Sequence, residues 1–400
     1  MALQTGSNLI LAYKKEATFG VLPANDATAK QLRRTKFGLS LKKDMIRSAE
    51  IRRDQQRSAS RHAMRKVDGS IEGELSLGTY APFIGSAFRR DFTAVSSLSA
   101  LTNVTASATA PQFVRATGSW ITDGLRVGMT VRCTGWTSGG TANNSKNFTI
   151  IALTATNMTV LETVAAKASG DSVTFTIPGK VTYMPLTGHT NDSYSFEQWA
   201  SDASQSRRFL GCRAGGIELS MPPNDKVAIT MPFTGQDRVS PVPSTQYFTS
   251  ASAATTSQMQ TGLSGSLIVN GVAVGILTAF SVKTSNNLDT KGVVGSNITP
   301  DVFQKSMDVM GSFSVLWQDG TFDGFFDLET SVPIIVQLRD STSATSDVMN
   351  ICIPASKIAG GDVGDEEGSL ITSFDFTSNV GDGSNGYEAT SIWVQDTLAP

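Results

Sequence analysis

Residues 30–77 read KQLRRTKFGLSLKKDMIRSAEIRRDQQRSASRHAMRKVDGSIEGELSL. Lys30 to Lys66 hold thirteen of the chain's 33 basic residues against only Asp44, Glu50 and Asp54, a net +10 in a protein whose total is −2. Large apolar residues are thin there: Leu32, Phe37, Leu39, Leu41, Met45, Ile46, Ile51 and Met64. A segment of this kind cannot bury enough surface to order itself and needs a partner. At Val67 the pattern changes. Val67, Ile71 and Leu75 fall on one face of a strand, with Glu72 and Glu74 on the other. A basic arm feeding a strand has the form of a docking element.

Three readings of the arm follow from its charge. It is a nucleic-acid grip, an assembly arm laid on an acidic surface of another copy, or a solvated loop. The residues at issue are Arg33, Arg34, Lys42, Lys43, Arg47, Arg52, Arg53, Arg57, Arg61 and Arg65, with Glu50 and Asp54 among them. The rest of the chain carries −12, so further copies of the protein offer the surface the arm needs. Phe37 is the only aromatic residue available to stack a base, which weakens the single-strand reading.

Four hundred residues with 36 glycines, heavy Ser/Thr use and few helical patterns predict two or three domains rich in β structure. Net charge near zero gives the whole molecule no strong attraction to DNA or to an anionic membrane. Cys133, Cys212 and Cys352 lie far apart, and an odd number builds no disulfide framework. Residues 7–13 are too short for a signal h-region and are followed by Lys14, Lys15 and Glu16. The longest apolar run, 271–280, is too short to span a membrane as a helix. Synthesis and folding in a cytoplasm are expected.

Along the chain, Leu9–Tyr13 reads as a short strand and 16–29 as loop. Thr79 is placed to cap a short helix carrying Tyr80, Phe83, Ile84 and Phe88. Residues 94–110, uncharged and built of Ser, Thr, Ala, Leu and Val, read as a linker. Five short strands follow, at 112–116, 129–134, 148–153, 158–161 and 172–177, separated by glycine and asparagine turns. The tract 92–180 therefore reads as a small β-domain inserted into a larger one formed by 1–91 and 181–400. Strands resume at 194–199, 207–213, 216–221, 226–233 and 262–269. The run Val272, Val274, Ile276, Thr278, Phe280, Val282 gives the longest strand signal, and Phe313, Val315 and Trp317 alternate again. A helix is expected from Thr321, its cap, with Asp323 near its N-terminus and Phe322, Phe325 and Phe326 as an apolar stripe. Pro333 assigns the 332–338 strand to an edge or places it in the strand's first residues. Strands at 350–353, 369–376 and 391–395 complete the chain.

Taken in this order the chain resembles the major tail tube proteins of long-tailed, non-contractile bacteriophages (siphoviruses). The resemblance covers roughly 1–90 and 181–400. It rests on Glu16-x-x-x-Gly20, on 48–54 (SAEIRRD), on 69–75 (GSIEGEL), on 209–213 (FLGCR), on 217–221 (IELSM), on 229–235 (ITMPFTG) and on the strand–helix–strand of 311–338. It implies a mainly β fold of two packed antiparallel sheets flanked by a helix, a β-sandwich whose strands close into a barrel on assembly. It further implies hexameric rings stacked into a tail through which DNA passes in transit, and a long loop, here 30–66, reaching a neighbour. Partners implied are further copies of the chain, a tape measure protein, and tail terminator and tip proteins. The location implied is the virion tail, assembled in the host bacterial cytoplasm.

Residues that carry chemistry elsewhere read here as structural. His62 and His189 have no Gly-x-Ser-x-Gly elbow near them, and Cys212 reads as core. Asp362, Asp365, Glu366 and Glu367 offer hard oxygen ligands but lack the alternating spacing of a calcium loop. They read as a solvated loop or, with Glu72 and Glu74, as candidates for the inner wall of a tube. A wall of that composition is expected to be net negative and to repel phosphate. No cofactor or metal and no enzymatic activity are expected. A rival from another class is a virion-surface or extracellular β-domain that binds carbohydrate or a receptor, with Trp136 and Asn143-Asn144 as a sugar platform.

Overall fold

Val67, Ile71 and Leu75 are fully buried, while Glu72 and Glu74 between them are only half-buried, so the strand entered from the basic stretch has one dry face. The computed structural model describes residues 3–363 and 369–400. The chain opens with β1 (Leu9–Lys15), β2 (Ser40–Arg47), β3 (Ser60–Glu74) and helix α1 (Ala81–Ala87). Seven short strands come next: β4 (Leu98–Leu101), β5 (Val104–Ser107), β6 (Gln112–Arg115), β7 (Thr130–Thr134), β8 (Asn147–Leu153), β9 (Asn157–Val160) and β10 (Val173–Thr176). Then follow β11 (Lys180–Tyr183), β12 (Tyr194–Ala200), β13 (Gln205–Ala214), β14 (Glu218–Met221) and β15 (Ala228–Gly235). After a long loop come β16 (Gly265–Val269), β17 (Leu277–Ser285), β18 (Asp308–Leu316) and α2 (Thr321–Asp327). The chain closes with β19 (Ser331–Arg339), β20 (Val348–Val363), β21 (Ile371–Asn379) and β22 (Trp393–Asp396).

Eight of these strands form one antiparallel run in the order β2–β3–β15–β14–β17–β18–β21–β20. Its dry face carries Ile71, Ile229, Met231, Leu219, Phe280, Val282, Phe313, Phe374 and Phe376. A second layer, β1–β12–β13, packs across it through Tyr13, Phe196 and Phe209. Helix α1 supplies the wedge. The Phe83 ring lies 4.7 Å from Tyr13, 5.7 Å from Phe196 and 5.5 Å from Phe233. Each such ring contributes about 1.5–3 kcal/mol on burial. The sixteen-residue β20 belongs to two neighbourhoods: its first half pairs with β19 and β22, its distal half with β21.

The expected mainly β, antiparallel architecture is present, and five local expectations are corrected. The 30–66 stretch is no structureless arm, because 40–47 and 60–68 pair as a hairpin that extends the main sheet. Residues 94–110 are no linker: β4 and β5 lie there, since Val104 and Ala106 are buried in a core that Leu98 and Leu101 pack against. Thr79 does not cap α1. Tyr80 occupies that position, and Thr79 bonds Ser76 and Thr255 instead. Thr321 does not cap α2 either; the Asp319 carboxylate two residues earlier accepts the Thr321 N–H at 2.9 Å. The apolar run 272–282 breaks in two, with the short Val272–Val274 strand pairing β16 and β17 beginning at Leu277. Of the two expectations for Pro333, the edge does not hold, since β19 is paired on both sides, and the other does: Pro333 stands in the first residues of β19, at a register shift beyond the end of β16.

Strands β4 to β10 form their own sheet, in the order β4–β10–β7–β8–β9–β6–β5. Phe113, Trp120, Phe148 and Phe175 fill its interior, and that interior is continuous with Ile268, Ile335, Cys352 and Trp393 of the larger body. Buried amides seam the two together. Gln395 accepts the Thr130 N–H at 2.7 Å and donates to the Thr130 carbonyl at 3.0 Å. Asn350 donates to the Gly128 carbonyl at 2.8 Å, and Gln337 to the Thr149 hydroxyl at 2.6 Å. A Cβ added at Gly128 would stand 2.9 Å from the Trp393 ring, so only glycine allows this approach.

Candidate assembly surface

The basic stretch divides into a rooted base and a free tip. At the base, Arg33 donates to the Ser257 carbonyl at 2.6 Å and Arg34 to the Leu9 carbonyl at 2.5 Å. Burial holds the Arg34 guanidinium below its ordinary range. Arg65 pairs with Asp237 at 2.7 Å, both largely buried, and Lys42 with Asp68 at 2.7 Å. These four charges are committed within the chain. Beyond them, 42–47 and 49–62 are exposed on both faces. The tip holds Lys43, Arg47, Arg53 and Arg61 with no ion pair among the described residues. Arg52 pairs with Asp54 at 2.9 Å, Arg57 donates to the Ser48 carbonyl, and Glu50 accepts from Ser58. Met45, Ile46 and Ile51 are exposed on the same tip. A two-stranded ribbon with both faces in water is marginal alone.

Glu72 and Glu74 sit on the wet face of the eight-stranded run. Register puts them on one face with Thr230, Glu218, Ser220, Lys283, Ser281, Met310, Ser312, Thr377, Asp375 and Ser373. The face is therefore broad, continuous and rich in hydroxyls. Its acids are answered by lysines: Glu72 by Lys36 at 2.8 Å, Glu74 by Lys226 at 2.6 Å, and Glu218 by Lys283 at 3.4 Å. With Asp68, Asp308 and Asp375 added, six acids face Lys36, Lys42, Lys66, Lys226, Lys283 and Lys357, so the described part of this face is close to neutral. The backbone of Asp362 pairs with Ser373 at the end of β20. Asp365, Glu366 and Glu367 lie outside the described residues.

Two buried acids that composition does not reveal fix the second layer. Glu16, 8% exposed, accepts four hydrogen bonds: Ser195 Oγ at 2.6 Å and Gly211 N–H at 2.8 Å on one oxygen, Ser193 Oγ at 2.6 Å and Gly20 N–H at 2.9 Å on the other. This explains the Glu16-x-x-x-Gly20 spacing. Gly20 has φ +72°, and a Cβ there would meet the Gln236 amide at 2.0 Å. Glu197 accepts the Tyr247 and Phe248 N–H groups at 2.6 Å each, together with the Ser206 hydroxyl, and so ties the long 240–261 loop to β12. The sequence signal for Glu16 is its spacing to Gly20, and for Glu197 only an acid within an otherwise uncharged strand.

The sugar platform is overturned. Trp136 is 3% exposed and stacks on Phe113, Asn143 is buried and bonds residue 165, and Asn144 bonds the Trp136 backbone. His62 is exposed on the hairpin and His189 half-buried in a loop. All three cysteines are free and buried, and burial pushes the Cys133 thiol up to about 12. Among the described residues no group of three His, Cys, Asp or Glu side chains is arranged to hold a metal.

Among comparisons with known proteins, the family model described as phage tail tube protein matches residues 6–378. That span takes in the arm, both layers and the seven-stranded tract. No curated protein matches the chain significantly.

Proposed function

Since the chain belongs to the phage tail tube protein family, we propose that it is the repeating subunit of a siphovirus-type tail, forming six-membered rings that stack into a DNA conduit. One observation carries this reading. The eight-stranded run ends on both sides in an edge without a partner among the described residues. On one side β2 pairs only with β3, and on the other residues 360–363 of β20 pair only with β21. Exposed edges template association, and joining each to its opposite on the next copy removes all of them at once.

In this reading the wet face lines the channel. Glu72 and Glu74 stand on that face with their lysine partners, so the wall neither grips phosphate nor presents a strong repulsive field. The hydroxyls between them supply short, uncharged contacts to water. The arm residues Lys43, Arg47, Arg53, Arg57 and Arg61 serve contacts between subunits, and residues 92–180 are an inserted domain carried by each subunit. The role is structural and not enzymatic, and the partners are further copies, a tape measure protein and terminal tail proteins. The location is the virion, after assembly in the host cytoplasm. Electron microscopy of concentrated purified protein tests the proposal. Tubes of uniform width are expected, and a protein that stays monomeric up to the solubility limit sinks it.

A further inference from the structure

We infer that the groove beneath helix α2 receives the tip of the basic hairpin from a neighbouring copy, an inference that rests on the assembly reading above. The groove has a volume of about 410 Å³ and is lined by Val272, Val274, Ile276, Trp317, Phe322 and Phe325. Val272 is 69% and Trp317 49% exposed, and Phe326 and Leu328 extend the apolar surface beside them. A clustered apolar patch on a soluble protein marks a contact surface. Its rim is acidic: Asp319, Asp323, Asp327 and Glu329 fall within eleven residues that contain no base. Lys357 spends its ammonium on the Glu329 carbonyl.

The hairpin tip is the complement. Met45, Ile46 and Ile51 are its exposed apolar residues, and Arg47, Arg53 and Arg61 are its free cations. Apolar with positive meets apolar with negative, the pairing that sets register and speeds encounter. Topology keeps the two apart within one subunit and brings them together between subunits. The tip extends from β2 and β3 at one end of the eight-stranded run, and α2 packs on β20 at the other. Contact between opposite ends of one sheet is heterologous, so each copy gives a tip and receives one, which builds a ring where the rotation between copies closes.

Disulfide trapping decides it. The native cysteines are buried, so an added exposed cysteine is trapped selectively. Ile51→Cys on the arm is mixed with Val272→Cys at the groove under mild oxidation, and separately with Leu186→Cys, an exposed position outside the groove. A heterodimer in the first mixture and none in the second is expected. Tubes that form normally without that heterodimer overturn the groove as the docking site and leave the assembly reading standing. A parent protein that never associates overturns both.

Discussion

Thr93 and Val181 hydrogen-bond to each other in both directions, N–H to carbonyl, at 2.8 and 2.9 Å. The seven-stranded tract therefore leaves and rejoins the larger body at one point. Closeness of the ends alone makes it look dispensable. The buried seam says otherwise: Gln337, Asn350 and Gln395 point into it, beside Ile268, Ile335, Cys352 and Trp393. Replacing 94–180 with a short linker would wet that apolar surface and leave the amides without their partners. Each unsatisfied buried group costs about 1–3 kcal/mol. The excised protein should melt well below the parent and bind a hydrophobic dye. Equal thermal stability would show that the seam contributes little.

Glu16→Ala should destabilise the chain strongly. It removes the acceptor of two backbone N–H groups and two serine hydroxyls in a largely buried site. Hydrogen bonds to a charged group are worth about 1.5–3 kcal/mol each, and their loss is not additive. A drop of roughly 3 kcal/mol or more in chemical unfolding is expected. A change below about 0.5 kcal/mol would mean that water replaces the carboxylate, since surface substitutions stay within about that range.

Stability should also fall between pH 4 and pH 7 because of Asp396. Burial is the main cause that raises its carboxyl to about 6, with the Asp347 charge adding to it, while bonds from the Gly78 and Leu398 N–H groups oppose the rise. A folded-state value above the unfolded one favours the protonated form. The contribution is complete below about pH 4 and is lost as pH rises through about 6. The size is roughly 3 kcal/mol for a carboxyl held at about 6 when folded. Asp396→Asn lacks this titration, so the stability difference between variant and parent should move in the variant's favour from pH 4 to pH 7. A constant difference across that range would refute the assignment.

Deleting 49–59 should leave the fold intact and abolish polymerisation. Every residue removed is exposed, and the paired parts of β2 and β3 remain. The melting temperature should hold close to that of the parent while tubes disappear. In the parent, added salt should slow tube growth, because tip charges in water are screened. Tubes of normal length from the shortened chain would remove the tip from assembly.

Much of this molecule is readable without coordinates, and the division follows the range of the interaction. Period-2 patterning is local, so it assigned Ile71, Ile229, Met231 and Phe233 to a dry face and Glu72 and Glu74 to the wet one. Charge segregation is equally local, and it marked 30–66 as the unusual stretch. Weak strands without charge, such as 98–101 and 104–107, look like a linker, because Ser, Thr and Ala become a strand only when neighbouring strands supply hydrogen bonds.

Partner choice was decided in three dimensions. Nothing near Arg65 announces Asp237, and nothing near Arg33 announces the Ser257 carbonyl, yet these contacts separate the rooted charges from the free ones. Trp136 as surface platform or as core depends on whether Phe113 stands beside it. Glu16 gathers its four donors from residues 20, 193, 195 and 211. The sequence determined which faces are dry and where the charge lies, because those are properties of neighbouring residues. The tertiary structure alone decided which acids are satisfied, which cations are spent and which sheet edges stay open, because each is set by groups that only folding brings together.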